Sequence, residues 1–169
     1  MIAKGGVELL DLYDSALPRV YGYLISRCGV ASTAEDLTSE TFLAAADAVV
    51  RGTCPTMSIA WLIGVARHKL VDHWRRTGRE ERGLRSVGSE AVEPDDPWDV
   101  ELDVLAARAT LERLLPHYRA ALTLRYLDDL PVSEVASVLE RTVHATEGLL
   151  VRARSAFRRA YLSGGDGDA

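Results

Sequence analysis

Cysteine is scarce in this chain: two in 169 residues, Cys28 and Cys54, with no CxxC pair and no His/Cys cluster. That excludes a disulfide scaffold and a zinc module, and makes a reducing cytoplasm the expected compartment. Long apolar runs are missing as well. Ala44–Ala45–Ala46 ends at Asp47, far short of the ~20 residues that cross a bilayer, so no membrane insertion is expected. Met1 to Glu8 holds one lysine and no apolar core, so no secretion signal is expected. HExxH, a P-loop and GxSxG are absent, and none of His68, His73, His117 or His144 has an acid three residues before it. No catalytic residue, metal or cofactor is therefore expected, and the chain does not read as an enzyme. Positive charge is not in excess either: 20 basic against 25 acidic side chains leave −5. Such a total argues against a simple DNA-coating protein, although it can hide segregation. What is present is a 47% apolar fraction, the composition of a folded protein long enough for one ordinary domain or two small ones.

The charge is segregated. Residues 1–77 are net neutral, 78–103 carry −6 and 104–169 carry +1. The middle stretch has few apolar residues and includes Gly78, Gly83, Gly88, Pro94 and Pro97, the composition of a tether. The chain therefore reads as two small modules, 1–77 and 104–163, joined by an acidic flexible linker at 78–103 and followed by a short disordered tail at 164–169.

Both modules read as helical, so the expected fold class is all-α. No segment sustains period-two alternation with hairpin turns. Leu9, Leu12, Tyr13 and Leu17 have helical spacing, and Pro18 predicts a break there. Ser32 to Glu35 has the pattern of a capping box opening a helix to about Val50. Arg51 to Pro55 ends it. Ser58 is the expected N-cap of a helix to about Arg76, with a buried stripe of Ile59, Leu62, Ile63, Ala66, Leu70 and Trp74. In the second module Pro116 suits the first turn of a helix reaching Leu127. Ser133 to Glu140 reads as a short helix, and Thr142 as the cap of a long one ending near Tyr161.

The last elements have helix-turn-helix spacing. Val135, Ala136 and Leu139 precede the turn Glu140–Arg141–Thr142, Val143 is placed to plug the corner, and Leu150, Ala153 and Phe157 line the next helix. That arrangement projects a second helix into the major groove. Arg152, Arg154, Arg158 and Arg159 suit phosphate contacts, although a helix C-terminus favours cations in any case. A second nucleic-acid signal lies on the Ser58–Arg76 helix. There Arg67, His68, Lys69, His73, Arg75 and Arg76 accompany Trp61 and Trp74, and cations with flat aromatics suit unpaired bases. The same tryptophans would equally serve as core.

Four stretches together resemble the extracytoplasmic-function (ECF) group of bacterial RNA polymerase sigma factors: AEDLTSETFLAA at 34–45, AWLIGVARHKLVDHWRR at 60–76, LLPHYRAALTLRYLDDLPVSEVASVL at 114–139 and LLVRARSAFRR at 149–159. The resemblance implies two helical domains, one for the polymerase and the −10 promoter element and one for the −35 element. The protein would be a transcription initiation subunit without catalytic activity of its own. The implied partners are core RNA polymerase (the largest-subunit coiled coil and the flap), promoter DNA as duplex at −35 and as melted single strand at −10, and an anti-sigma factor.

The resemblance also implies roles for individual residues. Asp36, Leu37, Glu40, Thr41 and Phe42 match the positions that dock on the polymerase coiled coil. Residues 51–57 match the loop that receives a flipped −10 base, a step that needs a pocket and costs a few kcal/mol. Trp61, Arg67, Arg75 and Arg76 match the −10 pattern, while His68 stands where the family usually has Asn. His144, Glu147, Gly148, Val151, Arg152 and Arg154 occupy the −35 reader. The common pattern there is Gly-Thr-Val-Lys-Ser-Arg-Leu, so Glu147 replaces a cation, Leu149 replaces an arginine, and Gly148 weakens the helix by about 1 kcal/mol. Glu147 could accept from cytosine N4 or repel phosphate. Glu90, Glu93, Asp95, Asp96 and Asp99 of the linker would follow the RNA path and imitate RNA charge. Extended, that linker spans at most ~90 Å, enough for promoter elements ~70 Å apart. Two readings from other classes compete: a stand-alone helix-turn-helix repressor, which leaves 34–45 and 60–76 unexplained, and a sigma-like decoy that binds without initiating.

Overall fold

The computed structural model describes residues 4–82 and 103–164. The five linker acids Glu90, Glu93, Asp95, Asp96 and Asp99, and residues 165–169 of the tail, lie outside the described residues. Every regular element among the described residues is helical. The chain divides into two compact units, Met1–His73 and Trp74–Ala169.

The first unit begins with α1 (Lys4–Cys28), which runs unbroken through Pro18 where the sequence predicts a break. Pro18 and Asp14 are both exposed, so the Asp14 carbonyl that proline leaves without an N–H partner lies on the solvent side, where water satisfies it. Gly29, at φ 71°, ends α1 in the left-handed conformation that favours glycine. The chain reverses so tightly that Val30 is already the N-cap of α2 (Ala31–Arg51). Ser32 thus falls inside the first turn, and the expected capping box does not form: the Val30 cap makes no side-chain hydrogen bond. Gly52, at φ 70°, closes α2, its N–H donating to Ala48 and Val49 carbonyls. Ser58 caps α3 (Ile59–Arg82) as its sequence predicts, its Oγ accepting from the Trp61 N–H at 3.1 Å.

The core of this unit is Ala16, Val20 and Leu24 of α1, Ala34, Leu37 and Ala45 of α2, and Leu62, Ala66, Leu70 and Val71 of α3. Thr38 and Thr41 are buried with them because each hydroxyl donates to a carbonyl one turn back, Ala34 at 2.6 Å and Leu37 at 2.7 Å. The buried stripe of α3 matches the expectation at Leu62, Ala66, Leu70 and Trp74; Ile59 and Ile63 are only half-buried.

The second unit starts with the end of α3, which continues to Arg82 rather than stopping near Arg76. Residues 78–82, expected to begin the linker, are helical. The arginines and glutamates there are good helix formers. Gly78 is buried rather than a breaker: a Cβ on it would come within 3.3 Å of Pro116. Asp103 caps α4 (Val104–Arg113), an element the sequence pattern left unassigned, accepting from the Leu105 and Ala106 N–H groups at 2.8 and 3.0 Å. Pro116 stands at the start of α5 (Pro116–Leu122), and a π turn (Thr123–Leu127) carries the chain onward. The turn to α6 (Val132–Val138) follows, then α7 (Val143–Gly164).

Thr142 caps α7, its hydroxyl accepting from the Ala145 N–H at 3.1 Å. That cap makes Val143 the first helical residue and leaves it 46% exposed, so Val143 does not plug the corner. The buried stripe begins one turn later: Thr146, Leu149, Leu150, Ala153 and Phe157. Ala153 and Phe157 of that stripe pack in a core with Leu114, Leu122 and the half-buried Tyr118 and Tyr161. Ala136, 3% exposed, supplies the small residue at the crossing of α6 and α7. Deleting one of the large side chains in this core would cost about 2–5 kcal/mol.

Candidate nucleic-acid interface

Three helix faces carry the residues singled out by sequence. On α2, Asp36 is exposed and Glu40 half-buried, four residues apart and so neighbours on one face. Leu37 (2% exposed) and Thr41 (0%) point inward and belong to the core. They seat the helix and offer no surface to a partner, which corrects their reading as contacts. Phe42 is half-buried and packs edge-on against Tyr13, ring centroids 4.8 Å apart. The outward stripe is completed by residues the sequence reading missed: Leu43, 70% exposed, and Val50, 83% exposed. At 100° per residue, Asp36, Leu43, Asp47 and Val50 fall within about 60° of one another. Asp47 also pairs with Arg51 at 3.0 Å. The result is an apolar ridge edged by carboxylates. The available signal was the seven-residue spacing from Asp36 to Leu43, which put a leucine outside the buried stripe.

On α3 the expected −10 residues are divided between the two units. In the first unit, Trp61 is half-buried and His68 exposed; spaced seven residues apart, they lie on one line of the helix. Arg67 is half-buried, and its register puts it on the side of buried Leu70 and Val71. In the second unit, Arg76 is exposed, whereas Arg75 donates to the Val138 carbonyl at 3.4 Å and pairs with Glu140 at 3.6 Å. Trp74 is 2% exposed and is core, with the Arg119 guanidinium 5.9 Å from its ring.

On α7 residues 143–145 are exposed, and from Thr146 onward only the outward face of the helix stands clear of the core. His144 is fully exposed, and its Nδ1 lies 3.9 Å from the Glu147 carboxylate. Gly148 and Val151 are half-buried, and Arg152 is exposed. A Cβ at Gly148 would meet only Arg152 Nη1, at 3.6 Å, so this glycine fills no tight approach. Leu149, where the family pattern has arginine, is 2% exposed. That position therefore faces the core here, and the leucine contributes packing. Arg154 is half-buried, its Nη1 donating to the Tyr126 hydroxyl at 3.2 Å. The exposed face mixes cations with one carboxylate, a chemistry suited to phosphates and base edges. Among the described residues no three His, Cys, Asp or Glu side chains group to hold a metal, and no helix is long and apolar enough to cross a membrane.

Comparison with known proteins agrees with this layout. Residues 12–80 match the family model for sigma-70 region 2, and residues 105–157 that for sigma-70 region 4. The chain belongs to the sigma-70 family, and its relatives place it in the ECF group of RNA polymerase sigma factors: initiation factors, not enzymes, that direct RNA polymerase to promoters. It is 36% identical over 148 residues to the ECF RNA polymerase sigma factor BldN of Streptomyces coelicolor, a match covering 84% of this chain and 56% of that protein. The ECF RNA polymerase sigma factor SigM of Bacillus subtilis is 28% identical over 159 residues, covering 91% and 95% respectively. Among solved structures, the sigma factor RpoE in complex with the anti-sigma factor NepR, from Bartonella quintana, has the same fold. Its TM-score is 0.54 at 22% identity, over 89% of this chain and 94% of that one.

Proposed function

We propose that this chain binds core RNA polymerase, brings it to a defined set of promoters and helps melt their −10 elements. The observation that carries the reading is the pairing of two unlike recognition surfaces on one chain: the carboxylate-edged apolar ridge of α2 and the exposed first turns of α7 behind a helix turn. A repressor needs only the second. In this reading residues 1–77 serve the polymerase and the −10 element, and residues 104–163 the −35 element. Asp36, Glu40 and Phe42, with Leu43, dock on the polymerase coiled coil, and Leu37 and Thr41 hold that helix in place. Trp61, Arg67, His68, Arg75 and Arg76, with the 51–57 loop, support the melted −10 strand. His144, Glu147, Gly148, Val151, Arg152 and Arg154 read or grip the −35 duplex. The acids Glu90, Glu93, Asp95, Asp96 and Asp99 would line the RNA path. An anti-sigma factor is the regulator we expect, and the cytoplasm, where core polymerase acts, the site of action.

The test is co-purification of the chain with core polymerase, followed by selection of fragments from a duplex library. Stable association with core, and enrichment of a two-part motif only in its presence, are expected. Enrichment of a single palindromic motif without polymerase would favour the repressor instead.

A further inference from the structure

Arg154 and Tyr126 meet at a distortion in the backbone. Residues 120–124 are five consecutive buried positions, so the helix carrying them is enclosed on all sides. The π turn at Thr123–Leu127 then widens the coil: the Asp128 N–H reaches back five residues to the Thr123 carbonyl at 3.0 Å, and Leu130 N–H six to Leu124 at 3.1 Å. Single π turns recur at functional sites, where they re-aim a side chain. Here the turn leaves Tyr126 45% exposed, with its hydroxyl accepting from Arg154 Nη1 at 3.2 Å. The other side of the ring is braced as well. Arg125 lies with its Cζ 5.7 Å from the Tyr126 ring, and it donates to the Leu130 carbonyl at 3.3 Å while standing 3.9 Å from Asp129.

Arg152 and Arg154 lie 200° apart around α7 at 100° per residue, on opposite flanks of its exposed face. A helix seated in a major groove has a phosphate strand on each flank. Arg152 is exposed and free to adjust its rotamer. Arg154 is half-buried and must be aimed.

We propose that Tyr126 is a positioning residue for promoter binding: its hydroxyl holds the Arg154 guanidinium in the orientation that meets a backbone phosphate on the strand opposite the one Arg152 grips. A guanidinium can meet both groups because it presents several N–H donors in a rigid fork. This inference rests on the reading of α7 as the −35 binding helix.

The test uses the full chain with core polymerase and a duplex fragment selected by the unaltered pair. Tyr126→Phe keeps the ring and removes the hydroxyl. We expect a 3- to 10-fold loss of affinity, an unchanged base preference, and a salt dependence shallower by up to about one unit, the weight of one phosphate contact. Arg154→Ala should give the full one-unit change, and adding Tyr126→Phe to it should cost nothing more. Equal losses from Tyr126→Phe in both backgrounds, or no loss in either, would overturn the proposal. Should Tyr126→Phe lower the melting temperature, Arg154→Lys decides: lysine keeps the charge but lacks the fork, so affinity and salt slope equal to the unaltered chain would contradict the account. If the unaltered pair selects no fragment, the −35 reading itself falls, and this inference with it. Selection with no effect of Tyr126→Phe removes the inference alone.

Discussion

The two units solve the problem of presenting a surface in different ways. The first opens with helices of 25 and 21 residues, α1 and α2, and displays the long side of a rod. The second breaks its chain into pieces of 10, 7, 5 and 7 residues before the 22-residue α7, and displays the beginning of a rod. A long side suits another helix lying along it, because apolar side chains recur at every second turn with charges at the edges. A helix start held clear by a tight turn suits a groove, because its first turns reach in while the rest stays packed. The charge follows the shape: α2 exposes Asp36, Asp47, Leu43 and Val50, whereas α7 exposes His144, Glu147, Arg152 and Arg159.

If the division is real, damage to one surface should leave the other working. The largest effect is expected from Phe157→Ala in the core beneath α7, at about 3–5 kcal/mol. Hydrogen exchange should show lost protection across residues 104–164 and little change in α1 and α2. Next is Leu43→Asp, which places a fourth carboxylate among Asp36, Glu40 and Asp47. Affinity for core polymerase should fall at least about tenfold, roughly 1.4 kcal/mol or more, with the melting temperature unchanged because the side chain is exposed. Arg152→Ala should reverse the pattern: full polymerase binding, with promoter affinity down several-fold and the salt slope reduced by about one. The smallest effect is expected from Ser58→Ala, which removes the cap of α3 and should cost about 1 kcal/mol in a denaturant titration. It should touch neither surface directly.

The sequence made some of this legible and concealed the rest for physical reasons. Ser58 and Thr142 were readable as caps because each is a hydroxyl residue standing shortly before an apolar helical stripe. The helix-turn-helix was readable from Ala136, Leu150 and Ala153, whose spacing fixes a crossing. Pro18 and the Ser32–Glu35 box misled because local rules compete with context. An exposed proline can sit in a long helix whose other face is buried, and Gly29 turned the chain before the serine could cap anything. On α2 the motif positions were sound as a helix but not as a face: Leu37 and Thr41 face the core, and the exposed Leu43 stood one residue past the last position the resemblance assigned. The π turn left no clear trace in the sequence, so the meeting of Tyr126 and Arg154 could be seen only in three dimensions. The family resemblance was legible because four separate stretches carried it in order. The roles of single residues within it depended on which way each side chain points.

The most direct test of the central claim is permanganate reactivity of thymines in a selected promoter fragment, measured with the chain alone, core polymerase alone, and both. The account predicts reactivity around the −10 element only when both are present, and its loss on Leu43→Asp. Opening by core polymerase alone, or tight duplex binding by the chain alone with no opening when polymerase is added, would contradict it.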